Sequence, residues 1–279
     1  MNQKGAIFVT THSRATDLNN CLNRIVSANS THGFPLIVIH QLGHVEVENV
    51  ISSWSSHIDV LVRTKAQGKT PLENINLNAI LAREVAFTWL GSDWCLGVED
   101  DVLIGLDSIQ LVTRMYEKYQ NNLFFRGVNL GSDIEFNEAD VANYMKMSYG
   151  LHGQASMITR KTWNRLNIEK FRLRVGDVGL DAHMEHWVKT GFMCTPKLSR
   201  YLDNGWNGTH SSTDPNDAYY LGLQKSFFDG IFEGNYRESN FSIKWRKDCY
   251  KFNYFLVIPR FLENKMRHIR WKVGSYIRN

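Results

Sequence analysis

The chain has 279 residues, 43% of them apolar and 22% charged, with only five prolines. That length can bury a sizeable core, and the composition excludes disordered, collagen-like and repeat-array classes. The net charge of +4 is unevenly spread: between Phe241 and Asn279, ten Lys/Arg face only Asp248 and Glu263, so this segment carries +8 and residues 1–240 carry −4.

The first half alternates strand and helix signals. A short β-rich run, Ala6–Thr10, ends in polar Thr11-His12-Ser13-Arg14. Leu18, Cys21, Leu22, Ile25 and Val26 then repeat with helical spacing, and Thr16 or Asp17 stands where an N-cap belongs. Gly33 and Pro35 lead into Leu36-Ile37-Val38-Ile39, an all-apolar run suited to a strand buried on both faces. A third strand is expected over residues 58–63. Leu77, Ile80, Leu81, Val85 and Trp89 mark a second helix, which stops at the turn cluster Gly91-Ser92-Asp93. Trp94–Val98 reads as a strand running into Glu99-Asp100-Asp101. A helix over residues 109–119 follows, with Asp107 as its cap, and then a strand over 123–128. This alternation predicts right-handed βαβ crossovers, hence an α/β fold with a mostly parallel sheet flanked by helices. Beyond residue 130 the pattern loosens. Met157–Leu166 reads as a strand-to-helix join, Asp181–Lys189 as a helix, and Lys197–Ser212 as a Gly- and Asn-rich loop. The tail is expected to be partly helical, which divides the chain into a domain at 1–240 and a basic segment at 241–279.

The four cysteines, Cys21, Cys95, Cys194 and Cys249, lack CxxC spacing and read as reduced thiols of a cytoplasmic protein. Neither a signal peptide nor an apolar run of the ~20 residues needed to span a bilayer is legible. A basic, aromatic-rich tail suits an anionic surface, so the expected location is cytoplasmic with contact to the inner membrane face through residues 241–279. A solvated helix closing the domain is the alternative. No nucleic-acid module accompanies the tail, and nucleic acid is not an expected partner.

Three consecutive acids at the carboxyl end of an apolar strand repel one another, and burial raises their pKa values. A hard divalent cation, Mn²⁺ or Mg²⁺, resolves that conflict and neutralises a diphosphate; a solvated turn before a helix N-terminus is the plainer explanation. In parallel sheets ligands bind outside the carboxyl ends of the strands, and the triplet lies at one such end. Thr10 and Arg14, after the first strand, with Glu99 and Asp100, are therefore candidates for contacting a nucleotide. Asp101 is the candidate cation ligand. His210, in the loop Gly205-Trp206-Asn207-Gly208-Thr209-His210, is either a further ligand from a mobile loop or a surface histidine. Asp181, at a helix start, is either a general base or an N-cap, and Asp177 competes for the base role. No Walker lysine loop and no GxGxxG occur.

Several stretches resemble the N-acetylglucosaminyltransferase I family and related GT-A enzymes. Phe34-Pro35-Leu36-Ile37-Val38-Ile39-His40-Gln41 with Gly43-His44 resembles the family's second strand and its Gly-His. Val98-Glu99-Asp100-Asp101-Val102 with Asp107 resembles its acidic metal motif. Ser13-Arg14 resembles its nucleotide-contacting Asp-Arg, with serine replacing the acid. Pro196-Lys197-Leu198-Ser199-Arg200 resembles its Pro-Glu-x-Ser-Arg, followed by glycines and His210. The resemblance spans residues 5–212 and implies a Rossmann-like GT-A domain. It further implies a UDP-sugar donor, Mn²⁺ at Asp101, Asp181 as base, and inverting transfer to a glycan or lipid-linked acceptor. A non-catalytic nucleotide-sugar- or glycan-binding module on the same fold and a nucleotidyltransferase are the rival readings.

Overall fold

The computed structural model describes residues 4–132, 143–147, 150–204 and 227–238. Strand β1 (Gly5–Thr11) is buried along almost its whole length and is followed by α1 (Ala15–Asn29). The apolar stripe of α1, Leu18, Cys21, Leu22 and Ile25, is fully buried, as its spacing predicts. Its N-cap is Arg14, with no side-chain cap, so the Thr16 or Asp17 expectation fails by two residues or more. Strand β2 (Leu36–Gln41) is buried at every position. Helix α2 (Val45–Ser53) leads to β3 (Val60–Thr64), shifted slightly from the predicted range.

Helix α3 (Pro71–Glu84) starts six residues before the periodic stretch suggested. Thr70 accepts from the Glu73 amide, Glu73 reaches back to the Thr70 amide, and Pro71 takes the first helical position. The Thr70/Glu73 capping box and Pro71 set this start in a stretch where the apolar stripe is weak. A wider π turn, Val85–Trp89, continues the helix before β4 (Trp94–Glu99).

Strand β5 (Val102–Ile104) precedes α4 (Ser108–Tyr119) and β6 (Phe125–Asn129). Then come β7 (Asn143–Met147), β8 (Ala155–Thr159), α5 (Arg160–Trp163), α6 (Ile168–Arg172) and α7 (Leu180–Val188). Last are β9 (Phe192–Pro196), β10 (Tyr201–Asp203) and β11 (Arg237–Glu238). The expected 197–212 loop thus contains a strand, β10, which the Gly and Asn content obscured.

Among the described residues nine strands form one sheet in the order β11-β7-β9-β6-β8-β4-β1-β2-β3, and β10 pairs with β5 in a separate ribbon. Pairing is parallel through β4, β1, β2 and β3, and antiparallel where β8 lies between β4 and β6. The sheet is mostly parallel, as expected, with an antiparallel insertion in its centre. Helices cover both faces. One core layer holds Ile7, Val9, Leu22, Val38, Leu96 and Val112; the other holds Phe8, Ile37, Ile39, Ile80, Cys95 and Met184. Alternate residues of β1 therefore face different layers, which is why its strand reads as continuously apolar. Chain order makes β1→β2 run one way and β3→β4 return to the other side of β1. The crevice at the carboxyl ends of β1 and β4 is therefore the topological switch point, where open α/β sheets bind ligands.

Candidate active site

Three chain segments meet at that crevice. The first is the end of β1, where Thr10 lies in register with Glu99 of β4. Thr11, one residue on and on the opposite face, donates its hydroxyl to Asp100 Oδ2 at 2.8 Å. Thr11 was not among the candidates, because strand parity at the frayed end of a run is hard to fix from sequence.

The second segment is the acidic turn. Glu99 closes β4, with its amide donating to the Gln154 carbonyl at 3.0 Å. Cys21 Sγ of α1 lies 3.4 Å from the Glu99 carbonyl. The Glu99 side chain is exposed to solvent at the end of β4. Desolvation, then the charges of Asp203, Asp100 and Asp181, push its pKa up to about 7, opposed by Arg14. Desolvation also raises Asp100, opposed by the Thr11 hydroxyl and Arg14. Asp101 is 5% exposed. Its Oδ2 is paired with Arg14 Nη1, which also lies 3.8 Å from Asp100 Oδ1, while its Oδ1 is buried with no hydrogen-bond partner.

The third segment is the β5–β10 ribbon, in which Asp203 pairs with Val102 and the Asn204 amide donates to the Asp101 carbonyl at 3.0 Å. This brings Asp203 beside the acidic turn from 100 residues away. No local signal in Tyr201-Leu202-Asp203 marks it, and only the antiparallel pairing finds it.

Asp181 stands in the first turn of α7 with Gly179 as N-cap, so it is not itself the cap. Its carboxylate lies against the Gly153 backbone and acts electrostatically on both Glu99 and the buried Arg83. Asn76 of α3 fixes this helix start: its Nδ2 donates to the carbonyls of Val175 (2.7 Å) and Val178 (2.9 Å), and its Oδ1 accepts from the Leu180 amide (2.8 Å). Asp177, the competing base, instead pairs with Arg174 at 3.1 Å on an exposed turn. His210 and residues 241–279 lie outside the described residues.

Asp107 corrects a second expectation. It occupies the N-cap position of α4 but makes no side-chain cap. Its carboxylate, fully buried, accepts from Arg200 Nε at 2.9 Å and from the Tyr236 hydroxyl at 2.6 Å. Arg200, in turn, donates to the Leu198 carbonyl and lies over the Phe228 ring, 4.3 Å from its centroid. The Ser199-Arg200 pair singled out by its family resemblance thus ties β5, α4 and the 227–238 segment together behind the site.

A mostly parallel sheet flanked by helices, with its switch point at the carboxyl ends of β1 and β4, is a GT-A-like, Rossmann-like α/β fold. Comparison with solved structures gives the same fold class. TarS 1–349 of S. aureus superposes with a TM-score of 0.50 at 10% identity, over 73% of this chain and 61% of that one. A longer S. aureus TarS structure gives 0.49 at 11% identity, over 78% and 38% of the two chains. The mannosyltransferase PcManGT from Pyrobaculum calidifontis, in complex with GDP-Man and Mn²⁺, gives 0.46 at 12% identity, over 71% and 57%. The chain spans less than two thirds of each of these proteins, and the fold assignment rests on the first. The sequence matches no protein-family model and no curated protein. Among the described residues no helix is long and apolar enough to cross a membrane.

Proposed function

We propose that the chain is a metal-dependent glycosyltransferase that moves a sugar from a nucleotide-sugar donor, a UDP-sugar by motif resemblance, to a hydroxyl of a glycan or lipid-linked acceptor with inversion. The observation that carries this reading is the acidic turn at the β1/β4 switch point, where Asp101 keeps a buried oxygen without a partner. The finer likeness to the N-acetylglucosaminyltransferase I family rests on the sequence motifs alone.

The residues fit a hard divalent cation: the donors are carboxylates, and one oxygen is buried and unsatisfied. Asp101, with Glu99 or Asp203 beside it and His210 as a further proposed ligand, would hold Mn²⁺ or Mg²⁺, which when bound would neutralise the leaving diphosphate. Among the described residues no three acidic, histidine or cysteine side chains converge on one point, so donor phosphate and water would complete the shell. Thr10, Glu99 and Asp100 line the nucleotide side of the crevice, and Arg14 is the group for the diphosphate. Asp181 accepts the proton of the acceptor hydroxyl as it attacks the anomeric carbon in line. Residues 241–279 form a basic segment that docks on anionic lipid, and liposome binding that is salt-sensitive and lost on truncation before Phe241 tests this.

The test of the reaction is donor turnover across UDP-, GDP-, CMP- and dTDP-sugars with Mn²⁺, comparing wild type with Asp101→Asn, Asp181→Asn and Asp177→Asn. Release of one nucleotide diphosphate, reduced at least ~100-fold in the first two variants and retained in the third, is the expected result. Donor binding by calorimetry without turnover, lipid-linked acceptors included, would instead make the chain a binding module.

A further inference from the structure

The acidic turn already carries a cation of its own. Arg14 leaves the end of β1 as the N-cap of α1, and its guanidinium sits on Asp101 Oδ2 with Asp100 Oδ1 3.8 Å away. The two ends of this pair differ in freedom: the Asp101 side chain is 7% exposed, that of Arg14 29%. Asp101 is held from behind by the Asn204 amide on its carbonyl, whereas Arg14 is a long side chain at a loop-to-helix junction. A single guanidinium nitrogen, Nη1, thus faces both neighbouring carboxylates.

This pairing takes up an oxygen of the residue to which the reading above assigns the divalent cation. A dication brought to the free Oδ1 would lie close to the guanidinium on Oδ2, and their repulsion in a poorly screened site opposes joint occupancy of the carboxylate. We infer that Arg14 is a built-in counter-ion of the acidic turn, and that the divalent cation and Arg14 exchange on Asp101. The inference rests on the proposed transferase reading and adds an order to it. Before ligands arrive, Arg14 offsets part of the charge that crowds Glu99, Asp100 and Asp101 together. When a cation takes Asp101, Arg14 loses its partner, and its exposed end meets the diphosphate of the donor. Two consequences follow from the exchange. The cation alone binds poorly, since it must first displace Arg14. Cation and nucleotide diphosphate bind cooperatively, since the diphosphate accepts the displaced guanidinium.

The experiment measures Mn²⁺ binding to the full chain by electron paramagnetic resonance of the free ion, with and without UDP, in wild type, Arg14→Gln, Arg14→Lys and Asp101→Asn. Circular dichroism confirms that each variant is folded. Arg14→Gln is expected to bind Mn²⁺ alone roughly tenfold or more tightly than wild type, about 1.4 kcal/mol, while UDP binding weakens and the UDP–Mn²⁺ cooperativity shrinks. Arg14→Lys, whose more strongly hydrated ammonium pairs less tightly with the carboxylates, shifts in the same direction by less, and it carries the test if Arg14→Gln does not fold. Mn²⁺ affinity that is unchanged or weaker in both variants, with Asp101→Asn still losing the ion, overturns the exchange and leaves the transferase reading standing. Failure of wild type and Arg14→Gln alike to take up Mn²⁺, even with UDP, overturns both.

Discussion

The β1–β4 half of the sheet and the half beyond β8 are stabilised in different ways. In the first half, parallel strands and α1 to α3 bury repeated apolar side chains, with buried polar groups such as His40, Asn76 and Arg83 set among them. In the second half, buried polar side chains tie segments to one another. Arg126, 4% exposed, donates to the carbonyls of Leu123, Trp187 and Thr190, and its own carbonyl accepts from the Thr162 hydroxyl. Asn129 bonds Gly150 and Thr195, and Arg200 holds Asp107. Apolar area is additive and forgiving, since losing a few methylenes removes a share of it. A buried ionic or hydrogen-bonded tie fails all at once, because the partner left behind is unsatisfied in a site without water. The second half is therefore the more brittle to single substitutions, and the first the more tolerant.

That contrast is sharpest at Arg200. Arg200→Ala leaves the Asp107 carboxylate buried without its cation and should cost about 3–5 kcal/mol, read as a fall in the urea midpoint. A loss under ~1 kcal/mol would show the pair to be dispensable and end the argument for a brittle half. Leu22→Ala, at a fully buried position of α1, is the counterpart in the apolar half, with an expected loss of roughly 3 kcal/mol and an unchanged denaturant slope.

Tyr236→Phe probes the same network through pH. Burial, and then the Asp107 carboxylate it donates to, raise the Tyr236 pKa well above its ordinary value. The neutral phenol is thus favoured in the folded state while the unfolded chain ionises near the normal value of about 10. Stability from this group is full below about pH 10 and is lost as pH rises further, because the unfolded state then binds fewer protons. The phenylalanine variant should be less stable at neutral pH by about 1.5–3 kcal/mol, as for a hydrogen bond to a charged group, and should show a shallower fall above about pH 10. Parallel slopes for the two proteins would mean that the hydroxyl is not buried against Asp107 in solution. The smallest effect belongs to Thr70→Ala, which removes half of the α3 capping box and should cost about 1 kcal/mol in a thermal melt.

The difference between the halves also decides what could be read in advance. Leu36–Ile39 and the α1 stripe declare themselves because apolar spacing is a local property, and the acidic turn declares itself because it follows an apolar strand. The Thr70/Glu73 box was equally local and was overshadowed by the later stripe Leu77–Trp89. Asp107 was misjudged for a different reason: aspartate before a helix is ordinarily a cap, and only the arrival of Arg200 from 93 residues away gives its carboxylate a better partner. The same holds for Asn76, whose three bonds to the α7 start cross about a hundred residues, and for Asp203, brought to the acidic turn by the β5–β10 ribbon.

The sequence by itself determined the alternation of strand and helix, the mostly parallel sheet and the acid-bearing strand end, since periodicity and turn chemistry act over a few residues. The tertiary structure decided the antiparallel entry of β8, the pairing of Arg14 with Asp101, and the β5–β10 pairing that brings Asp203 to the acidic turn. Those depend on which distant polar groups find one another in a dry interior, where the energy of a contact is set by geometry that no short stretch of chain encodes.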